Sequence, residues 1–538
     1  MSQDWWRGAV IYQIYPWSFA DANGDGIGDL AGITRRLDYV AGLGVDGIWL
    51  SPFFVSPMKD FGYDVADYCD VDPLFGTLAD FDALLAAAHR LGLKVIIDQV
   101  YSHSSDAHPW FAESRQSRDN PKADWYVWAD PKPDGTPPNN WLAVFGGAAW
   151  TWDTRRRQYY LHNFLPEQPD LNFHNKDVQD AVLGIAAFWL DRGVDGFRID
   201  VANLFCHDRR LTDNPPNPQP IGDQPYRMQR PLYNRDQPET LAFVSRFRAL
   251  LDRYSGRMAV AELASTDDQI ATMIAYIDGP DRYHTAYSFL LMREDVSVAL
   301  IRGALEAMAR GSKAAWPAWA FSNHDVVRVA SRWAVATGAT DGDPRLARLL
   351  IAVLTALRGT VFVYQGEELG LPQADVPFAR IRDPEGRAFW PRNRGRDGAR
   401  TPMPWRANAE NAGFCPAGIE PWLPVDPRHA ILAADRQDAD SASVLAFTRR
   451  FLAWRKRHPA LVRGDIRFLD APEPVLAFER TAGTDRVLCA FNLGAEPRSV
   501  ALDHTGAQPL DAPALGTPPA TVDGGRALLP PWGALILE

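Results

Sequence analysis

Short apolar runs rich in Val, Ile and aromatic residues alternate along the chain with longer stretches whose apolar residues recur at helical spacing. This alternation is typical of βα units around a parallel sheet. The predicted strands are Val10–Tyr15, Gly47–Leu50, Lys94–Asp98, Gly196–Asp200, Met258–Glu262, His284–Phe289, Ala318–Asp325 and Thr360–Gln365. The predicted helices are Ile33–Leu43, Phe81–Leu91, Val178–Leu190, Leu241–Tyr254, Arg345–Leu357 and Val444–His458. Eight strands predict an α/β fold of the (β/α)₈ TIM-barrel type.

Two stretches of the chain depart from this alternation of strands and helices and predict further domains. Between the third and fourth strands lie about 75 residues rich in Trp, Pro, Asn and Gly, far more than one helix requires, so residues 104–175 are predicted to form an inserted subdomain. Residues 1–103 and 176–457 would form the barrel. The short alternating segments in residues 458–538 predict a C-terminal antiparallel β-sandwich. The connection from Asn203 to Glu239, with seven prolines after Asp213, is expected to be an ordered lid.

Charge and composition limit the possible partners. The net charge of −11 argues against nucleic acid or an anionic membrane surface and favours a neutral substrate. No apolar run reaches the roughly 20 residues that a membrane span needs. The four cysteines lack metal-site or disulfide-framework spacing. Because the N-terminus has no basic region followed by an apolar one, we expect a cytoplasmic protein. Nothing indicates the oligomeric state.

Polar residues occur where the apolar runs end. Asp98, Asp200, Glu262 and the pair His324-Asp325 each close a predicted strand, which is where a barrel places its chemistry. Arg198 and Asp200 share one face of their strand, so the guanidinium is expected to lower the aspartate pKa by roughly 1 to 3 units. A purely structural Arg-Asp pair is the alternative. Two carboxyl groups in different surroundings are the parts that glycoside hydrolysis requires.

Four segments carry a family resemblance. Asp98–His103, Gly196–Asp200, Ala261-Glu262 and Phe321–Asp325 resemble, in order, the signature regions of glycoside hydrolase family 13, the α-amylase family. Three more segments resemble its α-glucosidase and oligo-1,6-glucosidase branch: Gln168–Asn172, Tyr364–Gly370 and Arg400–Trp405.

The resemblance implies roles for the carboxylates. Asp200 would be the nucleophile, Glu262 the general acid and base, and Asp325 the third catalytic carboxylate, binding the ring hydroxyls. Arg198, His103 and His324 would hold the same sugar. A non-enzymatic carbohydrate-binding or assembly protein of the same fold is the alternative from another class.

The resemblance also implies a pocket that is closed behind one glucose. Tyr63 would stack on the non-reducing glucose, while Asp60 and Arg400 close the pocket behind its O4 and so impose exo action. Phe145 and Phe164 would line the same pocket. From the residues alone, Tyr63 would be interpreted as a core aromatic and Asp60 as a loop charge.

Oxygen-bearing residues alternate between Asp21 and Asp29, as hard cations prefer. The resemblance favours one structural Ca²⁺ or Mg²⁺, bound by Asp21, Asn23, Asp25, Asp29 and the Ile27 carbonyl, and no catalytic cofactor. A turn rich in Asp and Asn explains the same residues. Position 12 of the loop is Gly32, which excludes a complete EF-hand.

The expected activity is that of a retaining α-glucosidase that releases glucose from short α-glucosides of the sucrose, maltose or isomaltose type, with possible transfer to alcohols. Val201 follows the nucleophile, and valine there accompanies action on α-1,6 or mixed linkages in this branch, so the linkage stays open. A sucrose isomerase or trehalose-forming transferase is the nearest alternative. The isomerase sequence Arg-Leu-Asp-Arg-Asp is absent after Asp325.

Overall fold

The computed structural model describes residues 4–501 and 519–537, apart from positions 221, 223, 265, 266, 296 and 524. Parts of three expectations therefore lie outside the described residues. They are the first three residues of the N-terminus, positions 221 and 223 of the expected lid, and positions 502–518, 524 and 538 of the expected C-terminal domain.

A parallel sheet of eight strands forms the centre of the described chain, and it confirms the predicted barrel class. The strands are β1 (Val10–Ile14), β2 (Gly47–Leu50), β3 (Lys94–Gln99), β4 (Gly196–Ile199), β5 (Met258–Leu263), β6 (Thr285–Ser288), β7 (Ala318–Ala320) and β8 (Thr360–Tyr364). Their hydrogen-bonded order is β6-β5-β4-β3-β2-β1-β8-β7. Across the seam between β6 and β7, the Thr285 hydroxyl donates a hydrogen bond of 2.7 Å to the Trp316 carbonyl.

Alternate residues of these strands face two different cores. Ile11, Ile96, Val260 and Phe362 pack together inside the barrel. Their neighbours along the strands pack outwards against the helices. Because both faces are buried, the strands appear in the sequence as nearly continuous apolar runs. The period of two also decides which polar residues reach the barrel interior.

Helices surround the sheet and fill its connections. The α-helices are Pro16–Phe19, Leu30–Arg35, Leu37–Gly42, Leu78–Arg90, Pro109–Ser114, Lys176–Arg192, Glu239–Leu251, Gln269–Ile277, Val298–Gly311, Val329–Arg332, Ala334–Thr337, Pro344–Ala356, Pro384–Phe389, Pro427–Ile431, Ala434–Asp438, Val444–Arg455 and Pro459–Arg463. The 3₁₀ helices are Pro225–Met228, Phe289–Met292, Glu367–Leu369, Phe378–Arg380, Asp397–Ala399 and Glu410–Gly413. Each helix in the described part of the chain is too short or too polar to cross a bilayer.

Small antiparallel sheets accompany the barrel. Trp128–Ala129, Gln158–Leu161 and Trp150–Asp153 form one within the predicted insert, and Phe54–Val55 pairs with Asp67–Val71. Asp465–Phe468, Val475–Ala482, Asp485–Asn492 and Ala534–Leu537 form a four-stranded sheet, and Arg498–Ala501, Arg526–Leu529 and Thr521–Asp523 a three-stranded one. Val475, Val500 and Ala527 share a core between the last two sheets. The exact domain boundaries remain a prediction.

Some predicted elements differ from the observed ones. The expected helix Ile33–Leu43 is two helices, because the chain leaves helical geometry at Arg36 (φ −108°, ψ 3°). Strand β7 ends at Ala320 rather than Asp325, since the Asn323 side chain accepts the Asp325 N–H at 2.8 Å and turns the backbone. The helices Gln269–Ile277 and Val298–Gly311 were not predicted.

Candidate active site

The polar residues at the strand ends converge at one end of the barrel. Asp98 pairs in register with Arg198, and Glu262 with Tyr287. Side chains alternate between the two faces of a strand, and each of these residues lies on the face that points into the barrel. Their side chains therefore enter the space inside it. The predicted carboxylates on β3, β4 and β5 are therefore neighbours in space.

Arg198 is the centre of this group and is fully buried. Its Nη1 lies 2.8 Å from Asp98 Oδ1 and 2.5 Å from Asp200 Oδ1, while its Nη2 forms an ion pair with Glu262 Oε1. The guanidinium also lies over the Trp49 ring, 4.9 Å from its centroid. A rigid, planar donor thus fixes three carboxyl groups in one arrangement.

Tyr287 completes the arrangement and was missed by sequence reasoning. Its hydroxyl accepts hydrogen bonds of 3.1 Å from Nε and Nη2 of Arg198 and donates one of 3.0 Å to Glu262 Oε1. The signal that indicates it is the strand period: Tyr287 lies two residues after Thr285 on β6, on the face that points inwards.

Burial dominates the protonation of the reacting pair. It raises the pKa of Glu262 to about 8 and that of Asp200 to about 7, while Arg198 acts in the opposite direction on both. Arg198 lowers the pKa of Asp200 as expected, but desolvation outweighs the ion pair, so the expectation of a net lowered pKa is wrong.

Asp325 has a different environment. Burial opposes its ionisation, yet His324, Arg396 and Arg400 hold the pKa of Asp325 well below its usual value. Burial keeps the pKa of His324 well below its usual value, and the Asp325 carboxylate acts in the opposite direction on it. Arg400 Nη2 lies 3.0 Å and Arg396 Nη1 3.3 Å from Asp325 Oδ1. With its side chain 23% exposed, Asp325 faces the open side of the site.

Asp60 is paired with an arginine that sequence reasoning missed. Its Oδ1 lies 2.6 Å from Arg396 Nη2, and the same nitrogen lies 2.7 Å from Asp383 Oδ1. Arg400, which is expected to close the pocket together with Asp60, binds Asp325 and donates from Nε to the His324 carbonyl at 2.8 Å. Both arginines occur in the segment Gly395–Arg400, and the sequence gives no spacing rule that distinguishes them.

The predicted aromatic and imidazole groups lie around these carboxylates. The Tyr63 ring stacks on His324 with centroids 5.2 Å apart, and the Tyr63 hydroxyl donates to Asp98 Oδ2 at 3.0 Å. Protein groups engage both ring nitrogens of His103, the Tyr63 carbonyl and the Ser102 hydroxyl each at 2.9 Å. His103 therefore supports the position of Tyr63.

The remaining predicted residues line the border of the site. Phe164 lies 5.2 Å from His103 and 6.0 Å from Phe145, whose ring lies under the Arg396 guanidinium at 4.9 Å. Val201 adopts φ +33°, which is rare for a β-branched residue, and its N–H donates to Glu262 Oε2 at 3.3 Å. The backbone beside Asp200 thus holds the second carboxyl group.

The Asp21–Asp29 loop lies after β1. Both carboxylate oxygens of Asp21 accept backbone N–H groups, from Gly24 and Gly26, and those of Asp29 accept the N–H groups of Ala22, Asn23 and Gly32. In the described residues no group of three or more His, Cys, Asp or Glu side chains is arranged to hold a metal ion. The ligand chemistry suits a hard cation, but the loop also closes through its own hydrogen bonds.

Comparison with known proteins identifies the family of the chain. Residues 13–464 match the alpha amylase catalytic domain family. A probable alpha-glucosidase of Rhizobium meliloti is 51% identical, covering 99% of this chain and 97% of that protein. An oligo-1,6-glucosidase of Heyndrickxia coagulans is 38% identical over 91% and 92% of the two chains. The crystal structure of the alpha-glucosyl transfer enzyme XgtA superposes with a TM-score of 0.95 at 54% identity and covers 99% of each chain.

The match spans most of the chain and includes each strand that carries a carboxylate of the site. An eight-stranded barrel with paired carboxyl groups at its strand ends is the arrangement expected for glycoside hydrolysis. The chain therefore belongs to the α-amylase family, glycoside hydrolase family 13, as an enzyme of the α-glucosidase type.

Proposed function

We propose that the protein is a retaining, exo-acting α-glucosidase that releases α-glucose from short α-glucosides of the sucrose, maltose or isomaltose type. The observation that carries this proposal is the single guanidinium of Arg198 that binds both Asp200 and Glu262. It places two carboxyl groups side by side at the ends of neighbouring strands. We further propose that the enzyme transfers glucose to alcohols, which the similarity to an alpha-glucosyl transfer enzyme supports.

In the first half of the reaction, an Asp200 oxygen forms a bond to the anomeric carbon as the glycosidic C–O bond breaks. Glu262, with its raised pKa, gives its proton to the departing oxygen. Asp325 stays ionised and accepts hydrogen bonds from the ring hydroxyls. Its negative charge stabilises the positive charge that develops on the sugar in the transition state.

In the second half, water or an alcohol attacks the same carbon and the C–O bond to Asp200 breaks. The charge of Asp200 is one cause of the raised pKa of Glu262. Esterification removes that charge, so the pKa of Glu262 falls and its carboxylate becomes the base that takes the proton from the incoming oxygen. Two inversions at one carbon return the α configuration.

The contacts of Asp60 and Asp383 with Arg396 support exo action. All three side chains are nearly or fully buried, and Arg396 also reaches Asp325, so the charged group lies directly behind the position of the ring hydroxyls. A buried ion-pair network at this position supports a pocket that is closed behind one glucose.

Contacts of the proline-rich connection support a restricted leaving-group side. The Gln224 amide donates to Glu385 Oε1, which also accepts from Asn393 Nδ2 at 3.0 Å. On the insert side, Asn140 Nδ2 donates to the Asn214 carbonyl at 2.9 Å. Hydrogen bonds to two other parts of the chain hold the proline-rich connection in place. A fixed connection restricts the space for the leaving group, which favours disaccharides over starch.

Two variants test the assignment of roles. Asp200→Asn should abolish activity on all substrates, whereas Glu262→Gln should keep some glycosylation of activated aryl α-glucosides, whose leaving groups need no proton. Equal residual rates for the two variants on activated and natural substrates would refute the roles. Product analysis after incubation with sucrose, maltose and isomaltose would reveal an isomerase or trehalose-forming transferase by its disaccharide products. If no glucoside is turned over, the result would indicate a carbohydrate-binding protein without enzymatic activity.

A structural cation in the Asp21–Asp29 loop and a cytoplasmic location also remain proposals. The alternating oxygen groups support the first, and the four free cysteines of the described chain, which suit a reducing compartment, support the second.

A further inference from the structure

Two short segments of the proline-rich connection, residues 215–217 and 228–232, lie side by side as antiparallel backbone, and we call them the paired segments. Gln224 lies between them in sequence and donates to Glu385 Oε1, on the segment that follows β8. The position of the paired segments therefore determines where the connection crosses from the insert to the segment after β8.

A row of buried side chains ties the base of the paired segments to the insert. Asn214 precedes the first segment and Asn234 follows the second, and Asn214 Nδ2 donates to Asn234 Oδ1 at 3.0 Å. Asn234 Nδ2 donates in turn to Asn163 Oδ1 of the insert at 2.8 Å. The Nδ2 and the backbone N–H of Asn163 donate to the two carboxyl oxygens of Asp170. These four residues, each no more than 4% exposed, are called the amide ladder.

The direction of every hydrogen bond in the amide ladder is determined by its ends. The Tyr233 N–H, which can only donate, binds Asn214 Oδ1 at 3.1 Å. Asn214 must therefore present its NH₂ group to Asn234, and Asn234 must present its own to Asn163. Asp170 accepts the last pair of donors. Each amide of the ladder thus has one orientation that satisfies all its neighbours, and exchange of a single NH₂ group for an oxygen would set two buried acceptors against each other.

The amide ladder also connects the paired segments with the wall of the pocket. Asn163 directly precedes Phe164, whose ring lies 5.2 Å from His103 at the border of the site. The bond from Asn234 to Asn163 therefore joins the returning end of the connection to a residue beside the pocket.

Other hydrogen bonds hold different parts of the connection. Trp141 Nε1 donates to the Thr212 carbonyl at 2.9 Å, before the paired segments begin. The Gln229 amide adds an exposed bond of 2.8 Å to the Asn140 carbonyl. Loss of the bond from Asn234 should therefore loosen the paired segments without releasing the whole connection.

We propose that Asn234 is a positioning residue for the leaving-group side of the active site. Through Asn163 it holds the paired segments, and with them Gln224, in the place that limits the length of the leaving group. This inference rests on the α-glucosidase function proposed above and assigns the control of its substrate length to one buried hydrogen bond.

Asn234→Asp tests the proposal because it changes one NH₂ group into an oxygen and keeps the shape of the side chain. The bond from Asn214 is kept, whereas the bond to Asn163 is lost. One buried hydrogen bond changes an equilibrium by roughly two- to tenfold. We expect kcat/KM for maltotriose relative to maltose to rise by that factor and KM for maltose to increase. The kcat on an aryl α-glucoside should stay within about twofold of the wild type, since its small leaving group does not need the paired segments.

Amide hydrogen exchange in residues 228–234 gives a readout that does not depend on activity. Exchange there should be faster in Asn234→Asp than in the wild type, because the paired segments open more often. If Asn234 acts through Gln224, Asn234→Asp should change the maltotriose-to-maltose ratio less in a Gln224→Ala background than in the wild type.

Asn492→Asp is the matched control. Asn492 is fully buried in the C-terminal four-stranded sheet, and its Nδ2 donates to the Glu496 and Pro530 carbonyls at 2.8 and 2.9 Å. Its replacement loses buried amide donors far from the paired segments, so the substrate ratio and the exchange in residues 228–234 should equal those of the wild type.

The proposal is overturned if exchange in residues 228–234 is the same in Asn234→Asp and the wild type. It is also overturned if exchange becomes faster but the substrate ratio does not change, or if Asn492→Asp raises the ratio equally. A wild type that cleaves no α-glucoside would refute the proposed function instead, and the exchange measurement then decides by itself whether Asn234 positions the paired segments.

Discussion

Replacement of Tyr287 by phenylalanine should move the pH profile of the enzyme in a direction that the structure determines. The Tyr287 hydroxyl donates to Glu262 Oε1 at 3.0 Å, and such a bond favours the ionised carboxylate. A buried hydrogen bond to a charged group contributes about 1.5 to 3 kcal/mol, and one pKa unit corresponds to 1.36 kcal/mol. Loss of the bond should therefore raise the pKa of Glu262, which is about 8 in the intact site, by about 1 to 2 units.

The sign of the effect on activity follows from the role of Glu262. Glycosylation needs Glu262 protonated, so activity is lost as the pH rises through its pKa. In Tyr287→Phe the alkaline limb of kcat/KM should therefore move to higher pH, measured with an aryl α-glucoside across the stable pH range. Such limbs report the coupled pair of Asp200 and Glu262 rather than either residue alone.

Tyr160→Phe is the matched control, since it removes a largely buried hydroxyl that donates to the Pro166 carbonyl and touches no catalytic carboxylate. Its profile should equal that of the wild type. An alkaline limb that stays in place in Tyr287→Phe, or moves to lower pH, would refute the assignment of Glu262 as the proton donor held by this network.

Three further predictions follow from other parts of the structure. Arg396→Gln removes the cation that pairs with the buried Asp60 and Asp383. The free energy of unfolding in urea should therefore fall by about 3 to 5 kcal/mol. An unchanged free energy of unfolding would contradict the role of this network in closing the pocket. Val201→Thr should raise activity on maltose relative to isomaltose or sucrose by roughly tenfold, because the new hydroxyl can hydrogen-bond an α-1,4-linked ring. An unchanged ratio of activities on these substrates would assign the selectivity to the proline-rich lid. Metal removal by a strong chelator should lower the melting temperature with little change in kcat, and a melting curve that does not move would favour a plain turn between Asp21 and Asp29.

The barrel and its carboxylates could be predicted from the sequence because each depends on a local pattern. Apolar runs of strand length mark β1 to β8, and the period of two places Arg198 and Asp200 on one face. The helix Val298–Gly311 was predictable in the same way, since buried Val298, Ile301, Leu305 and Met308 recur at helical spacing.

The remaining features depend on distances between parts of the chain that are far apart in sequence. Asp60 binds Arg396, whereas Arg400 binds Asp325. Which arginine reaches which carboxylate depends on the path of the segment Gly395–Arg400 after β8. The protonation of Asp200 likewise depends on burial from all sides, which the neighbouring Arg198 does not overcome. Sequence patterns identify ion-pair candidates, but they do not measure desolvation.

The stereochemistry of the first product tests the central claim most directly. If Asp200 forms a covalent glucosyl intermediate and Glu262 then activates water, each step inverts the anomeric carbon and the configuration is retained. Proton NMR during the first minutes of maltose or sucrose cleavage, before mutarotation, should show α-glucose as the initial anomer. Initial release of β-glucose would contradict the nucleophilic role of Asp200 and the mechanism built on it.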